Sequence, residues 1–523
     1  MGNRAQWGTR LGFILAASGS AIGLGNIWRF PGVAYDSGGG AFLVPYLFAL
    51  LTAGIPLLIL EFTLGHKYRG SAPRSLGRAS KGFEWIGWWQ VAISFVISTY
   101  YGVIVAWAIM YAYFSFTQAW GNDPLGFFVG DSFLNLVDPP TIGSFVPIVL
   151  IPLIIVWIIV LLTLFTGVRK GIERLNKIFI PTLFVVFLII VIRAVTLEGA
   201  GVGLNEFFTP DWSKIFDGSV WIAAYAQIFF SLSIGFAIMI TYSSYLDKKS
   251  DITNNAFITG FLNSSFELLA GIGVFAILGY MAVQQNIAVA EVGGGNLTGV
   301  LLAFSTFPEI ISNMPMAPLF GFLFFVSLFL AGISSLVSIS ETYVAGVAEK
   351  FNITRKKSVV FGGGLAALIS ILYATKGGLN ILDTVDAWIN NYGVALAGLF
   401  EVVAIAWFMR GLKDLQSYAN GVSDIKLGAW WRWSLQFITP VVLGYMMLQN
   451  LKGDIIGSID PETGERVFYS GYPVEFLFNW GWTVAIGAMV LGAIFTLKKW
   501  PKNDLNYKAP TSADSSESNE DAQ

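Results

Sequence analysis

The sequence predicts an all-α polytopic membrane protein with about 12 transmembrane helices, two of them broken in mid-membrane. Three observations lead there. The chain has 523 residues, 55% hydrophobic and only 12% charged, against about 25% charged in soluble domains. Apolar runs long enough to cross the hydrocarbon recur along its length, about 20 residues being needed for each crossing. The first and sixth of these runs carry residues that a continuous spanning helix has no use for. In the first, Ser18-Gly19-Ser20-Ala21-Ile22-Gly23-Leu24-Gly25-Asn26-Ile27-Trp28-Arg29-Phe30-Pro31 holds three glycines, an asparagine, an arginine and a proline. Each glycine weakens a helix interior by about 1 kcal/mol, and an arginine at membrane depth costs roughly 2.5–3.5 kcal/mol on insertion scales. Broken backbone is tolerated in lipid only where protein buries it or where it lines a wet cavity. Residues 19–25 therefore read as an unwound binding segment between two half-helices.

The remaining elements follow in order. After a short basic N-terminus with Arg4, Trp7 and Arg10, the broken span runs to about Tyr35. A second helix covers about 41–66 and a basic loop 66–81. A third helix covers about 84–119, and an outer connection with Asp123, Asp131 and Asp138 follows. The fourth and fifth spans read as about 145–166 and 170–195, and a polar connection fills roughly 197–218. The sixth segment, 219–246, is interrupted at Ser231-Leu232-Ser233-Ile234-Gly235-Phe236-Ala237. Further spans follow at about 252–283, 317–350, 358–374, 380–409, 431–451 and 474–498. Residues 1–503 thus read as one transmembrane domain. Residues 504–523, rich in Ser, Asp and Glu, read as an acidic disordered tail.

Basic residues fall in alternate loops (66–81, 169–177, 248–249, 350–357, 410–426 and 498–502), which places both termini in the cytoplasm. The starts of the two broken segments are five spans apart, so the second set enters from the opposite side. This gives an inverted repeat of about 8–196 and 215–409, with the eleventh and twelfth helices at about 431–499. Paired interrupted spans in corresponding positions point to a transporter's central site. Half-helix N-termini attract a carboxylate, and free carbonyls suit a small hard cation. The net charge of −2 gives no sign of a nucleic-acid partner, and the absence of cysteine excludes disulfides and thiolate metal sites. The one histidine, His66, sits at a span end beside Lys67 and Arg69. No cleavable signal peptide is apparent.

These residues resemble a known family. Arg10-Leu11-Gly12-Phe13-Ile14-Leu15-Ala16-Ala17 and Ala21 through Pro31 are similar to the first helix of the neurotransmitter:sodium symporters. Gly38-Gly39-Gly40-Ala41-Phe42, Pro45-Tyr46, Gly54-Ile55-Pro56-Leu57, Trp221-Ile222-Ala223-Ala224 and Gln227 through Ser233 continue the likeness. It covers the chain except the tail and is strongest to bacterial amino-acid members of the leucine-transporter type. The resemblance implies a five-plus-five inverted repeat in a bacterial cytoplasmic membrane, two sodium ions as coupling ions, and an amino-acid substrate. It places the first sodium among Ala21, Asn26, Ser231, Asn263 and the substrate carboxylate, and the second among Gly19, Ile22, Ala331, Ser334 and Ser335. It sets the substrate carboxylate against the amides of Leu24 and Gly25 and the phenol of Tyr101. Monoamine transporters of the family carry an aspartate where this chain has Gly23, so Gly23 argues for an amino acid. The side-chain pocket it implies, Ala21, Ile97, Phe230, Ser233, Phe236 and Ile339 with Ser335 nearby, favours a neutral apolar substrate, and which amino acid stays open.

Glu267, a carboxylate within an apolar helix, is functional by default. In chloride-dependent relatives the matching residue is a serine beside a chloride; here Tyr46, Gln227, Ser231 and Asn263 would surround the carboxylate instead. The resemblance implies chloride independence and uptake of a proton by Glu267 on the return step. It also implies an outer gate of Arg29 and Asp386 with Phe236 beneath it, and an inner gate of Arg4 with Glu349, Trp7 and Tyr245. An enzyme is not expected, because no His/Asp/Ser set or metal cluster is present. A channel, a substrate sensor of the same fold, and a transporter of another small carboxylate remain the rival readings.

Overall fold

The computed structural model describes residues 5–289, 291–292, 299–459, 466–501 and 504–507. The first span is two helices, Arg10–Ala21 and Leu24–Asp36, bent by 51° at their junction. Thr9 caps the first half by accepting from the Gly12 amide at 3.0 Å. The break is narrower than residues 19–25. Only Ile22 (ψ 85°) and Gly23, in an extended conformation, leave the helical path. Gly19 stays helical, and its missing side chain serves close approach rather than unwinding, as shown below.

Gly40–Tyr68 and Lys81–Phe114 form the second and third spans. Pro147–Val195 is a run of 49 residues, which as one straight helix would measure roughly 74 Å at 1.5 Å per residue. That far exceeds the ~30 Å hydrocarbon. Gly167, with φ +89°, turns the chain there and makes it the fourth and fifth spans. The sixth span is again two pieces, Gly218–Ser231 and Ile238–Ser243. Between them Ser233, Gly235 and Ala237 all have positive φ (53°, 80° and 63°), so no helix can pass through. The later spans are Ile252–Gln285, Ala317–Phe351, Arg355–Ala374, Gly378–Phe408 and Val474–Leu497. The eleventh comprises Ala429–Trp433 and Thr439–Ile456 joined through a π turn. Grouped this way, the described helices make about 12 spans.

Burial sorts the spans into layers. In its most apolar stretch the eighth span is 78% buried and the twelfth only 22%. The two broken spans pack with the second, seventh and eighth at the centre, and the fourth, fifth, ninth and twelfth turn apolar side chains outward. Shorter helices lie in stretches read as loops: Ala72–Ala79, Pro124–Val129, Ala200–Phe208, Gly299–Ser312 and Leu412–Val422. All are too short to span, so hydropathy does not reveal them.

The start of the segment read as tail packs on the first of these. Arg78 donates through Nε to the Asp504 carbonyl at 2.9 Å and lies 4.4 Å from the Tyr507 ring centroid, and Arg74 pairs with the Asp504 carboxylate. Residues 504–507 therefore belong with the folded domain. The acid at 504, counted by composition among solvated charges, is held by two arginines. Residues 508–523 lie outside the described residues.

Candidate functional site

The two breaks meet at one point. Ser233, in the unwound turn of the sixth span, donates its hydroxyl to the Ser20 carbonyl at 3.0 Å. On the first span, Gly23 donates its amide to the Ala21 carbonyl and to Asn26 Oδ1, both at 2.9 Å. The Leu24 amide meets the Tyr101 hydroxyl at 3.3 Å. Any side chain at Gly23 would crowd this place, because a Cβ there would lie 3.0 Å from Ser335 Oγ and 3.1 Å from the Tyr101 oxygen. At Gly25 a Cβ would meet nothing within 4 Å. Ala21, Ile97, Phe236 and Ile339 are buried, and Phe230 is half-buried.

Two oxygen clusters flank it. In the first, Asn26 Nδ2 donates to Asn263 Oδ1 at 2.8 Å and Asn263 Nδ2 to Ser231 Oγ at 2.9 Å. In the second, Ser334 Oγ lies 2.9 Å from the carbonyls of Gly19 and Ala331, and Ser335 Oγ lies 3.3 Å from Gly19 O and 3.4 Å from Ser20 O. Ile22 is the residue whose carbonyl the bend takes off the helical path. Both clusters offer carbonyl, amide or hydroxyl oxygens, the chemistry a hard cation requires.

Glu267 is fully buried. Tyr46 donates to its Oε2, and Gln227 Nε2 donates to its Oε1 at 2.6 Å. The Ser264 hydroxyl lies 2.8 Å from the Tyr46 oxygen and donates to it. The carboxylate is thus held by neutral donors.

The gates differ in part from expectation. Arg29 lies over the ring of Phe230, its guanidinium carbon 4.1 Å from the centroid. The aromatic under the cation is therefore Phe230, not Phe236. Asp386 accepts from Tyr100 at 2.5 Å and from Asn390 at 2.8 Å, and forms no direct ion pair with Arg29 among the described residues. The expected pair is two separately held charges. At the N-terminal end of the first span, Trp7 donates Nε1 to the Tyr242 carbonyl at 2.8 Å and its amide to the Tyr245 carbonyl at 3.2 Å. Tyr245 donates to Glu341 at 2.9 Å, which Arg355 grips through both terminal nitrogens. Glu349 accepts from the Ser71 amide and hydroxyl at 3.0 and 2.7 Å and pairs with Arg74 at 3.5 Å. Arg4 lies outside the described residues.

Sequence reasoning passed over a second set of buried carboxylates. Glu61 accepts the Gly235 amide at 2.7 Å, which ties the second span to the unwound turn of the sixth. Beside it stands Glu401, which accepts from Gln90; all three side chains are essentially fully buried. The rule that singled out Glu267, an acid within an apolar helix, applies equally to these two.

A bundle of about 12 spans with two broken helices meeting between oxygen clusters defines a secondary transporter driven by a cation. The chain belongs to the sodium:neurotransmitter symporter family, whose model matches residues 4–132 and 127–503. It is 40% identical over 505 residues to an uncharacterized sodium-dependent transporter of Methanocaldococcus jannaschii, covering 95% of this chain and 99% of the relative. It is 31% identical over 504 residues to the sodium-dependent dopamine transporter of Caenorhabditis elegans, covering 86% and 80% of the two chains. Among solved structures it resembles MhsT in complex with L-phenylalanine, with TM-score 0.70, 32% identity, and coverage of 85% of this chain and 99% of that one. It is a sodium-dependent, multi-pass membrane transporter and not an enzyme.

Proposed function

We propose that the chain carries a neutral, apolar amino acid into the cell with two sodium ions by alternating access, both termini facing the cytoplasm. The observation that carries this reading is the crowding at Gly23. The Tyr101 hydroxyl and the Leu24 amide face each other where helix N–H groups are freed, and Gly23 leaves that place without an acid of its own. A substrate carboxylate fits there, with its oxygens on Leu24, Gly25 and Tyr101. An amine lacking a carboxylate would find no fixed negative partner. The apolar walls from Ala21, Ile97, Phe230, Phe236 and Ile339 leave no partner for a charged side chain. MhsT, solved with L-phenylalanine, supports this substrate class.

In this reading Ala21, Asn26, Ser231 and Asn263 hold one sodium, bridged to the substrate carboxylate. Gly19, Ile22, Ala331, Ser334 and Ser335 hold the other. Glu267 supplies a fixed negative charge beside the first ion, so chloride is not required. Once that sodium leaves, the buried carboxylate is costly to keep charged and takes up a proton for the return step. Arg29 on Phe230 forms the outer lid with Asp386 facing it; Trp7, Tyr245, Arg4 and Glu349 close the inner side.

Equilibrium binding of the twenty radiolabelled amino acids to purified protein, in sodium and in potassium, tests the assignment. The reading requires sodium-dependent binding confined to neutral apolar side chains. Binding of dopamine or serotonin in preference to any amino acid would overturn it.

A further inference from the structure

The first and fifth spans touch along a seam where glycines on one receive polar side chains from the other. A Cβ at Gly12 would lie 2.2 Å from the Glu173 carboxylate, which also accepts the Gly8 amide at 2.6 Å and the Thr9 hydroxyl at 3.0 Å. Two turns further along the first span, a Cβ at Gly19 would lie 2.2 Å from Asn176 Oδ1. Small residues at a membrane helix interface allow such approach. Glu173 uses it to grip the N-terminal segment. Asn176 gains no comparable bond.

Asn176 is fully buried. Its Nδ2 donates to the Ile172 carbonyl at 2.9 Å, one turn earlier on its own helix. That bond fixes the amide plane and turns Oδ1 toward the first span, where it has no hydrogen-bond partner among the described residues. The hydroxyl of Ser18, fully buried next to Gly19, also has none among them. A buried carbonyl oxygen without a donor is costly, and an apolar residue of the same volume avoids the cost. Yet this oxygen is aimed at Gly19, the residue whose carbonyl Ser334 and Ser335 approach at 2.9 and 3.3 Å.

We infer that Asn176 is a further oxygen donor of the second cation site, contributed by the fifth span. This inference rests on the proposed reading of the Gly19–Ser334–Ser335 cluster as a sodium site. The five oxygens assigned above come only from the first and eighth spans. With Asn176 added, the ion ties the inner half of the first span to two neighbours at once, and its loss loosens both contacts together.

The test is equilibrium binding of ²²Na⁺ to the purified full-length chain and to the variants Asn176→Asp, Asn176→Leu and Ser334→Ala. Thermal unfolding in potassium serves as a folding control. Asp keeps the shape and adds a negative charge, so half-saturation moves to at least threefold lower sodium. Leu keeps the volume without the oxygen, so half-saturation moves several-fold higher. Ser334→Ala also moves it higher. Weakening by Ser334→Ala with both Asn176 variants within twofold of the parent, or shifted in the same direction, overturns the role of Asn176 alone. An unchanged Ser334→Ala overturns the second-site reading, and this inference with it.

Discussion

The guanidinium carbon of Arg29 lies 4.1 Å above the centroid of the Phe230 ring. Arg29 sits outside the first break and Phe230 one residue before Ser231 of the first oxygen cluster, so the contact joins the lid to the ion site. A cation over an aromatic face is worth about 0.5–2 kcal/mol, the upper end applying when it is desolvated. Replacing Phe230 with Leu keeps an apolar wall and removes that contact. Substrate affinity should fall roughly 2- to 30-fold, measured by equilibrium binding at saturating sodium, and Phe236→Leu should leave the Arg29 contact intact.

Gly23→Asp should abolish amino-acid binding. Its Cβ alone would sit at 3.0–3.1 Å from Ser335 and Tyr101, and its carboxylate would take the place assigned to the substrate's. Competition binding with an amino acid and with its decarboxylated amine reads the outcome. The amine should gain relative to the amino acid.

Glu267→Ser removes the fixed charge while leaving Tyr46 and Gln227 as neutral donors. Uptake by this variant should become dependent on chloride, whereas the parent protein should transport equally in chloride and gluconate. The comparison is a pair of initial rates in otherwise matched buffers.

Glu61→Ala should destabilise the resting protein by about 1–3 kcal/mol, the cost of a buried donor left unpaired, because the Gly235 amide loses its acceptor. Glu61→Gln retains a carbonyl oxygen at the same position and should recover most of the loss. Thermal unfolding in detergent distinguishes the two.

Much of this arrangement is legible in the sequence, for reasons that differ by element. The first break shows itself because Gly, Asn and Arg cluster where only apolar residues belong. The break in the sixth span is a weaker signal, since Ser233 and Ala237 carry two of its three positive φ values and neither residue announces them. Gly19 was read as part of the unwound segment because glycine signals both unwinding and close approach; only the position of Asn176 shows which applies. The contact of Arg29 with Phe230 is not legible, because Phe230 and Phe236 are six residues apart across a non-helical turn, where helical periodicity gives no facing rule. Glu61 and Glu401 were legible by the rule applied to Glu267. Their partnership with the turn at Gly235 depends on which spans pack together, and no local pattern carries that. The docking of Asp504 on Arg74 and Arg78 likewise joins residues over 420 positions apart.

The most direct test of the central claim is uptake of radiolabelled neutral amino acids into proteoliposomes under an inward sodium gradient, with gluconate replacing chloride. The account predicts concentrative uptake of at least one apolar amino acid that collapses when the sodium gradient is dissipated and is indifferent to chloride. Uptake that persists without sodium, or none for any neutral amino acid while an amine is accumulated, would contradict it.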